Sequence, residues 1–260
     1  MRDAEFDHLL HWVPDVGAAA REYAAAGFPA HVNEPLSGFQ NAGWRLDERY
    51  VEILTVVDEE AFATSPYAPA WELLRPAVAA AGRGGALTFA VNVPDAAATA
   101  ERLRGLGHRV VEAPVSFGDL GFLEVFAPDT PSWAPFFITY DPPRDQLLAQ
   151  AGPDAFDPGP HDLEALVVET PDPARDAHWL GELLEVPATG TEVPLPGARV
   201  VFEEGPAERI TGVLVSGTGP DVVIDGLRFQ HSNPTAQPRS ARPAAGGPGS
   251  AASRSEWRSW

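Results

Sequence analysis

The chain has 260 residues, 44% of them hydrophobic, and a net charge of −19, which allows a sizeable core but gives the wrong sign for a polyanion-binding surface. It contains no cysteine and no lysine, all 18 basic residues being arginine; this excludes thiol nucleophiles, disulfides, thiolate metal sites, Schiff-base chemistry and a P-loop. No apolar run approaches the roughly 20 residues of a membrane span and no signal region opens the chain, so the expectation is a cytoplasmic protein with neither nucleic-acid nor membrane partners.

Neither G-x-S-x-G nor G-x-G-x-x-G occurs, so no nucleotide cofactor is expected. His, Asp, Glu, Tyr and Arg are left to carry the chemistry. Arginine without lysine, beside abundant Ala, Gly and Pro, points to a GC-rich bacterial genome.

In chain order, FDHLLHWV reads as a strand with His8, Leu10 and Trp12 on one face and Asp7, Leu9, His11 and Val13 on the other. Pro14 ends it, Asp15 caps an alanine-rich helix, and Gly27 stops that helix. Two strand runs follow, FQNAGWRL and YVEILTVV, separated by Asp47 and Glu48, so residues 6–57 read β-α-β-β-β. Glu52 interrupts the second run. If Val51 and Ile53 face the helix layer, Glu52 faces the other way with Tyr50 and Leu54. A carboxylate there must be ion-paired, metal-bound or protonated. Arg45 is the candidate ion-pair partner; metal binding or acid–base work is the alternative.

Residues 67–82 read as a helix with Trp71, Leu74 and Val78 spaced to pack, broken at Arg83-Gly84-Gly85. The first module then recurs at an offset of 80 residues: Val13, Pro14, Asp15 and Gly27 correspond to Val93, Pro94, Asp95 and Gly107. Residues 86–141 thus form a second module ending in the strands RVVEAPVSF, GFLEVFA and PFFITY, and 1–142 one domain. Trp44, Trp71, Phe89, Phe122, Phe126, Trp133, Phe136 and Phe137 are divided between core and an aromatic pocket, most of them core. Residues 143–160 read as a linker and 161–230 as a partial third module, with Pro171 and Asp172 between strand and helix. There Glu203 and Glu204 fall on opposite faces of a strand, one inward and one solvated. Residues 231–260 have the composition of a disordered tail.

An Asp-His strand, a Pro-Asp-capped helix ending in Gly-Phe, an Asn-Ala strand and a Tyr-x-Glu-Ile strand, in this order and with an internal repeat, resemble the vicinal oxygen chelate superfamily and, within it, the glyoxalase-like branch. The resemblance spans about 6–217. It implies an α+β fold of paired βαβββ modules, with curled mixed sheets around a cleft, plus a partial third module; being incomplete and without a partner, that module is expected to pack against the first two, closing their cleft or making a homodimer surface. It implies that His8 and Glu52 hold a divalent ion (Fe, Mn, Ni or Zn) or, without metal, form a proton-transfer pair. The activity implied is that of a lyase, isomerase or dioxygenase on a small oxygen-rich metabolite. Gln40 stands where members of the branch tend to carry histidine, with Asn41 beside it. The offset sets Thr88 against His8, and extending the register to the last strand sets Phe137 against Glu52; neither completes a metal site, although shifted strands would bring Glu124 or Tyr140 inward. Asn41, Gln40, Trp44, Glu124, Tyr140 and Phe137 are the candidate substrate contacts. The competing function is a non-catalytic protein that sequesters an antibiotic or aromatic compound.

Overall fold

The computed structural model describes residues 4–151 and 156–232. The first module runs β1 (Glu5–Trp12), α1 (Val16–Ala25), β2 (Ala30–Val32), β3 (Phe39–Arg45) and β4 (Tyr50–Val56). Asp15 starts α1 by accepting the Ala18 amide at 2.8 Å, and Gly27, at φ 89°, turns the chain out of it. Two helices, α2 (Glu59–Phe62) and α3 (Ala68–Ala81), lead to the second module, β5 (Gly85–Asn92), α4 (Ala96–Gly105), β6 (Val111–Phe117), β7 (Leu120–Phe126) and β8 (Phe136–Asp141). It repeats both signals: Asp95 accepts the Ala98 amide at 2.9 Å, and Gly107 lies at φ 93°.

These strands form one mixed sheet in the order β2-β3-β4-β1-β5-β8-β7-β6. At its centre β1 and β5 run antiparallel, each beside a parallel partner from its own module, β4 and β8. Alternation along the strands then divides the side chains. Leu9, Trp44, Val51, Phe89 and Phe137 enter a core shared with Tyr23 of α1 and Leu103 of α4. Leu10, Leu54, Ala90, Phe136 and Ile138 point the other way, into a smaller cluster closed by Trp71 and Ala77 of α3.

The 143–160 stretch is more than a linker. After Pro142 and Pro143 it forms α5 (Arg144–Ala151), as prolines ahead of a helix permit, and α5 packs on β8. Beyond it come β9 (Leu163–Thr170), α6 (Pro173–Leu184), β10 (Glu192–Val193), β11 (Arg199–Glu204), β12 (Arg209–Val215), β13 (Val222–Ile224) and β14 (Leu227–His231). They build a second mixed sheet, β10-β11-β9-β12-β14-β13. In it β9 pairs parallel with β11 and antiparallel with β12, while β12 pairs parallel with β14. This is the arrangement of β1 with β4 and β5, and of β5 with β8. The partial third module is therefore followed by a helix-less counterpart of a fourth.

The inner face of the second sheet, including Leu166, Val168, Phe202, Val215 and Phe229, joins the same core as β1 and α1. Its apolar side chains cover the helix side of the first sheet, so the expectation that it closes the cleft is corrected: it lies behind the sheet that builds the cleft. Glu203 and Glu204, the last two residues of β11, are both exposed, correcting the inward placement of one of them. His231 ends β14, which corrects the first residue of the tail expected over 231–260; 233–260 lie outside the described residues. No helix among the described residues is long and apolar enough to cross a membrane.

Candidate active site

The curled face of the first sheet encloses a cavity of about 210 Å³. Side chains of β1, β3, β4, β7 and β8 line it from the sheet, and Phe62, Trp71, Leu74 and Leu147 face them from α2, α3 and α5.

His8 reaches this cavity from β1, as alternation predicts. Asp7 was expected on the opposite face and is not there. The register against β5 slips between Phe6 and His8, a bulge that takes Asp7 off the ladder and leaves it beside its neighbour. His8 Nδ1 donates to Asp7 Oδ1 at 2.7 Å. The same oxygen accepts the Tyr140 hydroxyl at 2.9 Å, and Oδ2 accepts Arg144 at 2.8 Å. Burial opposes the Asp7 charge, but the bond and charge of His8, with Arg144 and Tyr140, outweigh it and hold the carboxyl below its usual range. Burial likewise opposes a charge on His8; the hydrogen bond and charge of Asp7, with Glu52 and Glu124, overcome it and raise the imidazole pKa. The ring is held between Tyr50, stacked at 4.6 Å, and Phe136, edge-on at 5.7 Å. Tyr140→Phe removes one donor from Asp7 and is expected to lower stability by about 1–3 kcal/mol, measured by urea unfolding. An unchanged midpoint would show that the bond contributes nothing.

Glu52 enters from β4. Its Oε1 accepts Asn41 at 2.7 Å, and Asn33 donates to Asn41 Oδ1 at 2.8 Å, so the amide fixes the carboxylate from behind. Its Oε2 lies 3.9 Å from His8 Nε2. Arg45 is not its partner: that guanidinium lies 5.1 Å from the centre of the Tyr50 ring. Glu124 and Tyr140 do face inward, from β7 and β8. Glu124 Oε2 is buried without a hydrogen-bond partner. Burial, reinforced by the charge of Glu52 and opposed by that of His8, pushes its pKa up to about 8, so the carboxyl is protonated at neutral pH.

Three candidates lie elsewhere. Trp44 is fully buried in the opposite core, with its indole N–H on Pro158 O at 3.0 Å. Phe137 belongs to the same core, and its neighbour Phe136 faces the cavity instead. Gln40 donates to Asn33 O at 3.4 Å and is outside the cavity lining. Of the eight aromatic candidates, Trp71, Phe122, Phe126 and Phe136 line the cavity, whereas Phe89 and Trp133 are core like Trp44 and Phe137. His11 is a structural residue: its Nε2–H donates to Asp225 O at 3.2 Å, and its Nδ1 accepts the Tyr23 hydroxyl at 2.7 Å. Burial lowers its pKa to about 4.

Residues 6–184 match the family model of a glyoxalase-like domain. The chain belongs to the glyoxalase-like domain family. It is a member of the vicinal oxygen chelate superfamily with it. Among solved structures, a hypothetical protein from Staphylococcus aureus aligns over 88% of this chain and 100% of its own, with 16% identity and a TM-score of 0.69, a likeness of fold. A variant of Streptomyces coelicolor methylmalonyl-CoA epimerase aligns over 52% of this chain and 96% of its own, with 19% identity and a TM-score of 0.38. A mutant 4-hydroxymandelate synthase from the same organism aligns over 84% and 72%, with 13% identity and a TM-score of 0.49. No curated protein matches.

The glyoxalase-like site does not fit a divalent ion. His8 Nε2 and Glu52 Oε2 are ligand types, but among the described residues no three His, Asp or Glu side chains are placed to hold an ion together. Catalytic zinc sites and the facial triads of non-haem iron take three protein ligands, one more than His8 and Glu52 supply. From the second module, Thr88 is buried and donates to Ala134 O at 2.6 Å, while Phe137 points away.

Arg144 was not anticipated from the sequence, because it follows two prolines in a stretch read as linker. Those prolines, followed by Arg-Asp-Gln-Leu-Leu, were the available signal for a helix start. Asp7 gave no such signal, since a bulge leaves no mark on strand periodicity.

Proposed function

We propose that this glyoxalase-like chain is a proton-transfer enzyme of isomerase or lyase type acting on a small carbonyl metabolite. One observation carries the reading: Glu52 Oε2 and His8 Nε2 face each other across 3.9 Å, each fixed from behind, by Asn41 and by Asp7. That gap is too long for a hydrogen bond and suits a substrate carbonyl with its α-carbon. Asp7 favours the imidazolium, whose Nε2–H donates to the carbonyl oxygen. Glu52 takes the α-proton; the C–H pair moves into the enol double bond, and the oxygen receives the His8 hydrogen bond or proton. On an α-hydroxy carbonyl, Glu52 returns the proton to the former carbonyl carbon of the enediol while His8, neutral after its donation, removes the α-hydroxyl proton, and the carbon bearing that oxygen becomes the new carbonyl, an isomerisation. With a leaving group on the β-carbon, the enol instead returns its O–H proton to His8 as C=O re-forms, the double bond shifts to the α,β position and the leaving group departs with its electron pair, an elimination. A single carboxylate base serves one face of the substrate, which favours these outcomes over epimerisation.

The test is solvent deuterium uptake at the α-carbon across a panel of small ketones and hydroxyketones, followed by NMR. Uptake is expected to persist after exhaustive dialysis against EDTA. Loss on dialysis with recovery on adding iron, manganese, nickel or zinc would overturn the metal-independent mechanism. The aromatic lining favours a second reading, a protein that sequesters an aromatic compound; tight binding with no exchange in any ligand would select it.

A further inference from the structure

The cavity is unusual in charge. Five carboxyl residues, Asp7, Glu34, Glu48, Glu52 and Glu124, line it against two arginines. Arg144 is already held by Asp7 at 2.8 Å and Glu5 at 2.7 Å, and Arg45 lies against the Tyr50 ring. Opposite the carboxyls runs a belt of rings in which each touches the next. Trp71 meets Phe62 at 5.5 Å, Phe62 meets Phe39 at 6.1 Å, and Phe39 meets Tyr67 at 5.6 Å. Tyr67 then meets Phe122 at 6.5 Å. Burial, and after it the charges of Glu52 and Glu124, raise the Tyr67 pKa, so belt and carboxyls border the same space. Ring faces and carboxylates attract a cation and repel an anion. Glu124 Oε2, buried and without a partner, marks where a hydrogen-bonding group is missing.

We propose that the substrate carries a protonated amine, its ammonium received between Glu52 and Glu124 and its apolar body by the ring belt. The assignment rests on the proton-transfer reading for the word substrate; the recognition itself needs only the cavity. An ammonium beside Glu124 stabilises the carboxylate, so binding below its pKa of about 8 releases a proton.

Three probes of one size and shape separate the alternatives: phenacylamine, 2-hydroxyacetophenone and phenylglyoxylate, respectively cationic, neutral and anionic. Calorimetry on the full chain near about pH 6 is expected to show the amine binding about tenfold or more tighter than the alcohol, the acid not binding, and an amine heat that depends on the buffer's ionisation enthalpy. Glu124→Gln keeps the side-chain volume; it is expected to erase the preference and the proton release, weakening the amine by about tenfold and the alcohol far less. Equal affinities, tighter binding of the acid, or no binding of the amine overturns the proposal. Deuterium uptake at the methylene of phenacylamine is read separately. Selectivity without uptake removes the catalytic reading and keeps the recognition, whereas uptake without selectivity does the reverse.

Discussion

Glu52→Gln is expected to reduce α-deuterium uptake by about 10³-fold while changing folding stability by less than about 1 kcal/mol. Glutamine fills the same volume, and its carbonyl still accepts Asn41, whose bond to Oε1 is 2.7 Å in the parent. What it loses is the ability of the second oxygen to take a proton. His8 keeps Asp7 at Nδ1 but loses one of the charges that raise its pKa, so its acid form persists to a less alkaline pH in the variant. The experiment pairs uptake per folded molecule with urea unfolding. A variant that unfolds readily but exchanges normally would make Glu52 a structural partner of Asn41 and remove it from the mechanism.

Much of this site is written in strand alternation. His8 on β1, and Tyr50 and Glu52 on β4, follow from period two alone, and the caps at Asp15 and Asp95 fix both modules. The errors arise where that period breaks or is carried across a loop. Asp7 reaches His8 because β1 bulges, a backbone event with no composition of its own. Phe137 was set against Glu52 by carrying the register on to the last strand of the second module. The ladders show that this was one residue too far: Leu10 pairs with Glu52, and Ala90, its counterpart at the offset of 80, pairs with Phe136, so Phe136 faces the cavity in place of Phe137. Trp44 lies three residues from Asn41 on β3, an odd spacing, and therefore faces the opposite core. Arg144 comes from outside both repeats, where no internal comparison could point to it.

Glu124→Gln is expected to stabilise the protein at alkaline pH. The carboxyl titrates from an ordinary 4.5 to about 8 in the folded state, so between these values the folded chain keeps a proton that the unfolded chain has lost. Stability contributed by this group therefore falls as pH rises from about 4.5, and the full penalty, about 5 kcal/mol, is present above about 8. Glutamine cannot ionise and escapes it. At about pH 5 the two proteins should unfold together; at about pH 9 the variant should be more stable by several kcal/mol, which for a chain of this size raises the melting temperature by about 10 °C. A difference that is the same at both pH values would mean that Glu124 is ionised in the fold with a partner of its own, and would remove the basis for placing a ligand donor there. A difference confined to alkaline pH, together with lost amine preference in the same variant, would tie the cost of holding this carboxyl unpaired to the ligand it awaits.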